Sequence, residues 1–87
     1  MNNKSQNINE KNYTIQLAAL KRRVEVTYFH NLQNVDFHPG SDGLNRYTWG
    51  IFKSSAEAYA NLKSIIDKGY NDAYVVPISK FNIDLKQ

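Results

Sequence analysis

Five side chains in this sequence have the types and spacing to bind a polar ligand: Thr14, Gln16, Arg46, Thr48 and Tyr74. A guanidinium fork pairs with a carboxylate or phosphate, and a glutamine amide both donates and accepts. A tyrosine ring offers an apolar plane to a sugar or a base. The set suits a polymer carrying hydroxyls, amides and scattered negative charge. Catalytic chemistry is harder to assemble. There are no cysteines, which excludes disulfides, thiolate zinc sites and cysteine nucleophiles. His30 and His38 have no partner at metal-ligand spacing. The carboxylates are spread over tails, turns and helices, so a paired acid/base site is not expected. Serine, histidine and aspartate occur without a nucleophile elbow, and no glycine-rich phosphate loop is present. The expectation is a protein that is not an enzyme and uses no cofactor or metal.

A chain of 87 residues allows one small domain. Its hydrophobic fraction of 41% suits a folded chain rather than a disordered one. A net charge of +3 would help approach to an anionic polymer, yet it falls short of the basic stripe of a dedicated nucleic-acid binder. No apolar run is long enough to span a bilayer, so membrane insertion is not expected. The opening MNNKSQNINEK lacks the apolar core of a signal peptide and reads as a flexible polar linker over 1–11. The folded domain is expected over 12–78 and a loosely held tail over 79–87. In that tail Phe81, Ile83 and Leu85 alternate and could pack along an edge.

The elements that must position these side chains follow from periodicity. Tyr13, Ile15 and Leu17 alternate with Thr14, Gln16 and Ala18, which predicts a strand. Val24, Tyr28, Leu32 and Val35 recur at helical spacing, which predicts a helix over 25–33 despite the β-branched VEVT. A short strand at 34–38 and the turn residues HPGSDG lead into a third strand over 44–52. Ser54 and Glu57 form a capping box for a second helix. Its inner face carries Ala58, Leu62, Ile65 and Ile66, and Gly69 ends it. DAYVVPI, at 72–78, is the last strand. The order β-α-β-β-α-β predicts an α+β fold of the split βαβ type. It has a four-stranded antiparallel sheet with two helices on one face, and the first and third strands central. Sorting the strands by side-chain size puts Tyr13, Ile15, Leu17, Tyr47, Trp49, Ala73 and Val75 toward the helices. The bare face then carries Thr14, Gln16, Ala18, Arg46, Thr48, Tyr74 and Val76, and a one-residue slip would invert a strand.

Three stretches are similar to the SPOR (sporulation-related repeat) domains, and YFHNL, from Tyr28, with DGLNRY, from Asp42, is similar to a form found in Bacteroidetes-type bacteria. YTIQLAAL, from Tyr13, resembles the family's opening strand with its glutamine at Gln16. YTWGIFKSSAEA, from Tyr47, resembles its strand-to-helix passage V-x-V-G-x-F-x-S-x-x-E-A. GYNDAYVV, from Gly69, resembles its closing strand. The likeness spans about residues 12–77. It implies a non-catalytic domain that binds peptidoglycan, preferring glycan strands stripped of their stem peptides, and that localises a larger envelope, division or cell-wall protein. It also implies a periplasmic or envelope location and a monomeric domain. The family's glutamine and arginine fall on Gln16 and Arg46, and its outward last-strand residue on Tyr74. Thr14, Thr48 and Ala18 share that surface. Two positions depart from the pattern: Ala19 stands where serine is frequent, and Leu44 where an aromatic is frequent. Removing stem peptides exposes lactyl carboxylates, which Arg46 could pair with, and Gln16 could bond an N-acetyl group.

Two other classes share the expected topology. An RNA-binding module of the RRM type would display aromatics on the first and third strands. This chain offers Thr14, Gln16, Arg46 and Thr48 there instead, so no nucleic-acid partner is expected. A protein-interaction domain could cover the same face with a second copy.

Overall fold

The computed structural model describes residues 12–81. They comprise β1 (Tyr13–Leu20), β2 (Asp36–Pro39), β3 (Asn45–Phe52), α1 (Ser55–Asp67) and β4 (Tyr74–Pro77), with 3₁₀ turns at Val26–Tyr28 and Ile78–Phe81. The expected linker over 1–11 and the residues 82–87 of the expected tail lie outside the described residues. The four strands form one antiparallel sheet in the order β2-β3-β1-β4. The first and third strands are therefore central, and α1 crosses between β3 and β4. HPGSDG ends β2 and carries the hairpin connection to β3 from Gly40 on, closed by the Gly40 N–H on the Leu44 carbonyl at 2.9 Å.

The expected helix over 25–33 does not form. Only Val26–Tyr28 winds, as a single 3₁₀ turn, and no side chain caps its start at Glu25. Two β-branched residues in that turn resist helix propagation. Tertiary anchors hold the segment in an irregular path instead. The Tyr47 hydroxyl donates to the Val24 carbonyl at 2.7 Å and accepts from its N–H at 2.8 Å. The Trp49 indole N–H donates to the Gln33 carbonyl at 3.0 Å. Phe29 is fully buried between the rings of Tyr47 and Tyr70, with centroids 5.0 and 5.9 Å away. The helical period was carried partly by Tyr28, which is 65% exposed and belongs to no buried face. The described residues thus contain one α-helix, and the two-helix layer is replaced by α1 plus an anchored loop.

α1 is built as its capping residues dictate. The Glu57 N–H donates to Ser54 Oγ at 3.1 Å, and Glu57 Oε1 accepts the Lys53 N–H at 3.1 Å. At the far end Gly69 adopts φ +111°, and the Tyr70 N–H reaches the Ile65 carbonyl. This is the αL termination that glycine permits. Ala58 and Ile65 are buried, Leu62 is half-buried, and Ile66 is 37% exposed and outside the core cluster. The core on this side gathers Ile15, Leu17, Phe29, Tyr47, Phe52 and Ile65, with Trp49 packed against it.

Two irregularities between β1 and β3 set the faces. Tyr13 pairs with Phe52 but Ile15 with Trp49, so β3 carries an extra residue at Gly50–Ile51. Gly50 has φ +86°, and a Cβ there would lie 2.5 Å from the Phe52 ring, so only glycine fits. Gln16 then pairs with Thr48 but Ala18 with Tyr47, so Leu17 is an extra residue in β1. Beyond that bulge the alternation of β1 is inverted. Ala18 packs against the helix-side core, and Ala19, not Ala18, stands opposite Arg46.

Candidate functional site

The face away from α1 is organised by strand register. One row crosses all four strands: Asp36, Thr48, Gln16 and Tyr74 are successive cross-strand partners. The next row holds His38, Arg46 and Ala19. Five of the six expected site residues therefore share this face. Ala18, the sixth, is removed from it by the β1 bulge.

The face is not bare. Thr14, Gln16 and Thr48 are 1%, 4% and 1% exposed. Val76 and Ile78 are also buried, and both lie outside the helix-side core cluster. The C-terminal turn, Ile78–Phe81, lies against this face; Ile78 was expected to end the last strand, and 79–81 to begin a loose tail. Its Lys80 ammonium lies 3.4 Å from the Tyr74 hydroxyl on edge strand β4. Its Phe81 ring stacks on His38, on the opposite edge strand β2, with centroids 4.5 Å apart. A segment that touches both edge strands must cross over β1 and β3.

The buried polar groups differ in how they are paired. Thr14 Oγ1 donates to the Trp49 carbonyl at 3.2 Å. Thr48 Oγ1 lies 2.8 Å from His38 Nε2. Burial lowers the His38 pKa below its usual 6.5, with nearby Asp36 opposing part of that shift. His38 is therefore a neutral ring at pH 7, able to stack on Phe81. Gln16 Nε2 donates to the Tyr74 hydroxyl at 2.9 Å, while Gln16 Oε1 is buried with no hydrogen-bond partner. An unmet buried acceptor carries a desolvation cost, so it marks a position where a donor would be welcome.

Arg46 has a structural partner. Its guanidinium makes two bonds to Asp42, at 2.8 and 3.2 Å, so the carboxylate in the hairpin turn occupies the fork. Arg46, and the Leu44 N–H behind it, hold the Asp42 pKa down to about 2. Asp36, diagonal to Arg46 across the β2–β3 ladder, makes no ion pair with it. Arg46 and Tyr74 remain reachable, with the Arg46 side chain 21% and Tyr74 45% exposed. Arg46, Lys80, His38, Phe81 and Gly40 border a hollow of about 380 Å³ at the hairpin end of the sheet. A second hollow of about 350 Å³ opens beside Gln16, Ala18 and Tyr74, where β1 runs on past the end of β4.

His38, Lys80 and Phe81 were missed by sequence reasoning. His38 was legible, since Asp36 and His38 alternate with Phe37 in β2. The Phe81-Ile83-Leu85 alternation hinted that the tail carries apolar positions. Among the described residues no group of three His, Cys, Asp or Glu could hold a metal ion. No helix among them is long and apolar enough to cross a membrane. Comparison with family models, with curated proteins and with solved structures yields no match for this chain.

Proposed function

We propose that this domain is a non-catalytic peptidoglycan-binding module. It recognises glycan strands stripped of stem peptides and localises a larger envelope or cell-wall protein. The observation that carries the reading is the register row that sets Gln16 beside Tyr74, with Arg46 one row away on the same face. The residue likeness to SPOR domains named this set, and a split polar-and-aromatic surface of this kind fits a sugar polymer with N-acetyl and carboxylate groups. Arg46 pairs with a lactyl carboxylate by exchanging its Asp42 partner for the ligand. Tyr74 supplies the apolar plane, and the unmet Gln16 acceptor takes an amide N–H. Thr14 and Thr48 act as supports, since both are buried and already bonded. The periplasm is the compartment this reading requires. RNA binding of the RRM type fits less well, because the outward residues of β1 and β3 are not aromatic.

Sedimentation with purified sacculi tests the function. Sacculi from normal cells, which contain amidase-trimmed strands, are expected to retain more of the domain than sacculi from amidase-deficient cells. Equal retention on both, or none on either, contradicts the proposal.

A further inference from the structure

The C-terminal turn raises a question that the strands do not. A permanently covered sheet face is ordinarily apolar, yet the face that the turn crosses holds the buried Thr14, Gln16 and Thr48. It leaves the Gln16 acceptor unmet. Among the described residues the turn has few fastenings. Ile78 is fixed, because its side chain is fully buried and its N–H donates to the Asn12 carbonyl at 3.0 Å. Beyond it, Ser79 and Lys80 are exposed, and the described fastenings are the Phe81–His38 stack and the long Lys80–Tyr74 contact.

We propose that Ser79–Phe81 is a detachable strap, hinged after Ile78, which opens independently of the sheet and is displaced when ligand binds. The displacement step rests on the glycan reading above; the opening itself does not. In the closed form Phe81 sits on His38, and Lys80 lies 5.5 Å above the Tyr74 ring that the ligand would use. The closed strap thus competes with the ligand for the two edges of the site. Opening exposes Gln16 and frees Tyr74 at once. The strap lowers apparent affinity by the fraction of molecules that are closed, so weakening its fastening raises affinity without adding a ligand contact.

The test uses the full 87-residue chain and its Phe81→Ala variant. Proton exchange of the Gln16 side-chain amide with water, followed by NMR, reads strap opening without any ligand. Exchange is expected to be about tenfold or more faster in Phe81→Ala, while backbone amides of β1 and β3 keep their protection. Unchanged Gln16 exchange overturns the proposal, and so does loss of protection throughout the sheet, which would make the turn part of the core. Binding to denuded glycan oligosaccharide is then measured for both chains. A several-fold gain for Phe81→Ala supports displacement, and equal or weaker binding beside a functional parent overturns it. If neither chain binds glycan, the functional reading and displacement both fall, while the exchange rates still decide whether the strap opens.

Discussion

At the scale of single residues, Arg46 and His38 carry the sharpest consequences. The guanidinium fork is held by an exposed carboxylate that stays ionised down to about pH 2. Exposed pairs of this kind contribute little to stability, so their exchange for a ligand carboxylate is inexpensive. Arg46→Ala is expected to weaken glycan binding about tenfold, with Arg46→Lys between the two because it keeps charge but loses the planar fork. Titration calorimetry against denuded glycan checks the order. His38 makes a different prediction. Its folded-state pKa is lowered, so its contribution to stability is present above the ordinary value of 6.5 and is lost as pH falls through the folded value. Burial opposes the charged ring, and Asp36 on its own strand favours it. Thermal melts from about pH 7 to about pH 5 should show falling stability in the parent and a flatter profile in His38→Gln.

At the scale of elements, the sequence was readable where local chemistry and tertiary packing agree. The capping box, Gly69 and the turn residues of HPGSDG each act within a few residues, and α1 and the β2–β3 hairpin formed where those signals stood. The helix over 25–33 failed because its apolar period reflected separate anchors rather than one face: Phe29 is in the core, while Tyr28 points to solvent. Tyr47 binds the start of that loop to the sheet, through both backbone polar groups of Val24. Tyr47→Phe leaves those groups without their partner, and a loss of about 1–3 kcal/mol in urea unfolding is expected. A loss near zero would mean that the Phe29 burial and the Trp49–Gln33 hydrogen bond hold the loop without it. The β1 bulge at Leu17 was not readable, because one inserted residue leaves the apolar and polar letters unchanged while inverting every side chain beyond it. This is why Ala18 left the site and Ala19 entered its face.

At the scale of the molecule, the sheet has two covered faces rather than one. α1 and the anchored loop bury one side, and four residues of the C-terminal turn cross the other. Sequence periodicity located the polar face through alternation in the strands, but it could not show the cover. A 3₁₀ turn of four residues has no period of its own, and its Phe81 ring is held by His38, some 40 positions earlier in the chain. The net charge of +3 acts at this scale too. It would favour approach to an anionic wall, and binding should therefore weaken as salt rises.

The most direct test of the central claim is an NMR titration of the isotope-labelled chain with defined denuded glycan oligosaccharides, since it reports ligand and site together. Saturable shifts are expected, centred on Gln16, Arg46 and Tyr74 and on the turn at 79–81, with little change along α1. No shifts, or shifts confined to α1 and the loop before β2, would contradict it.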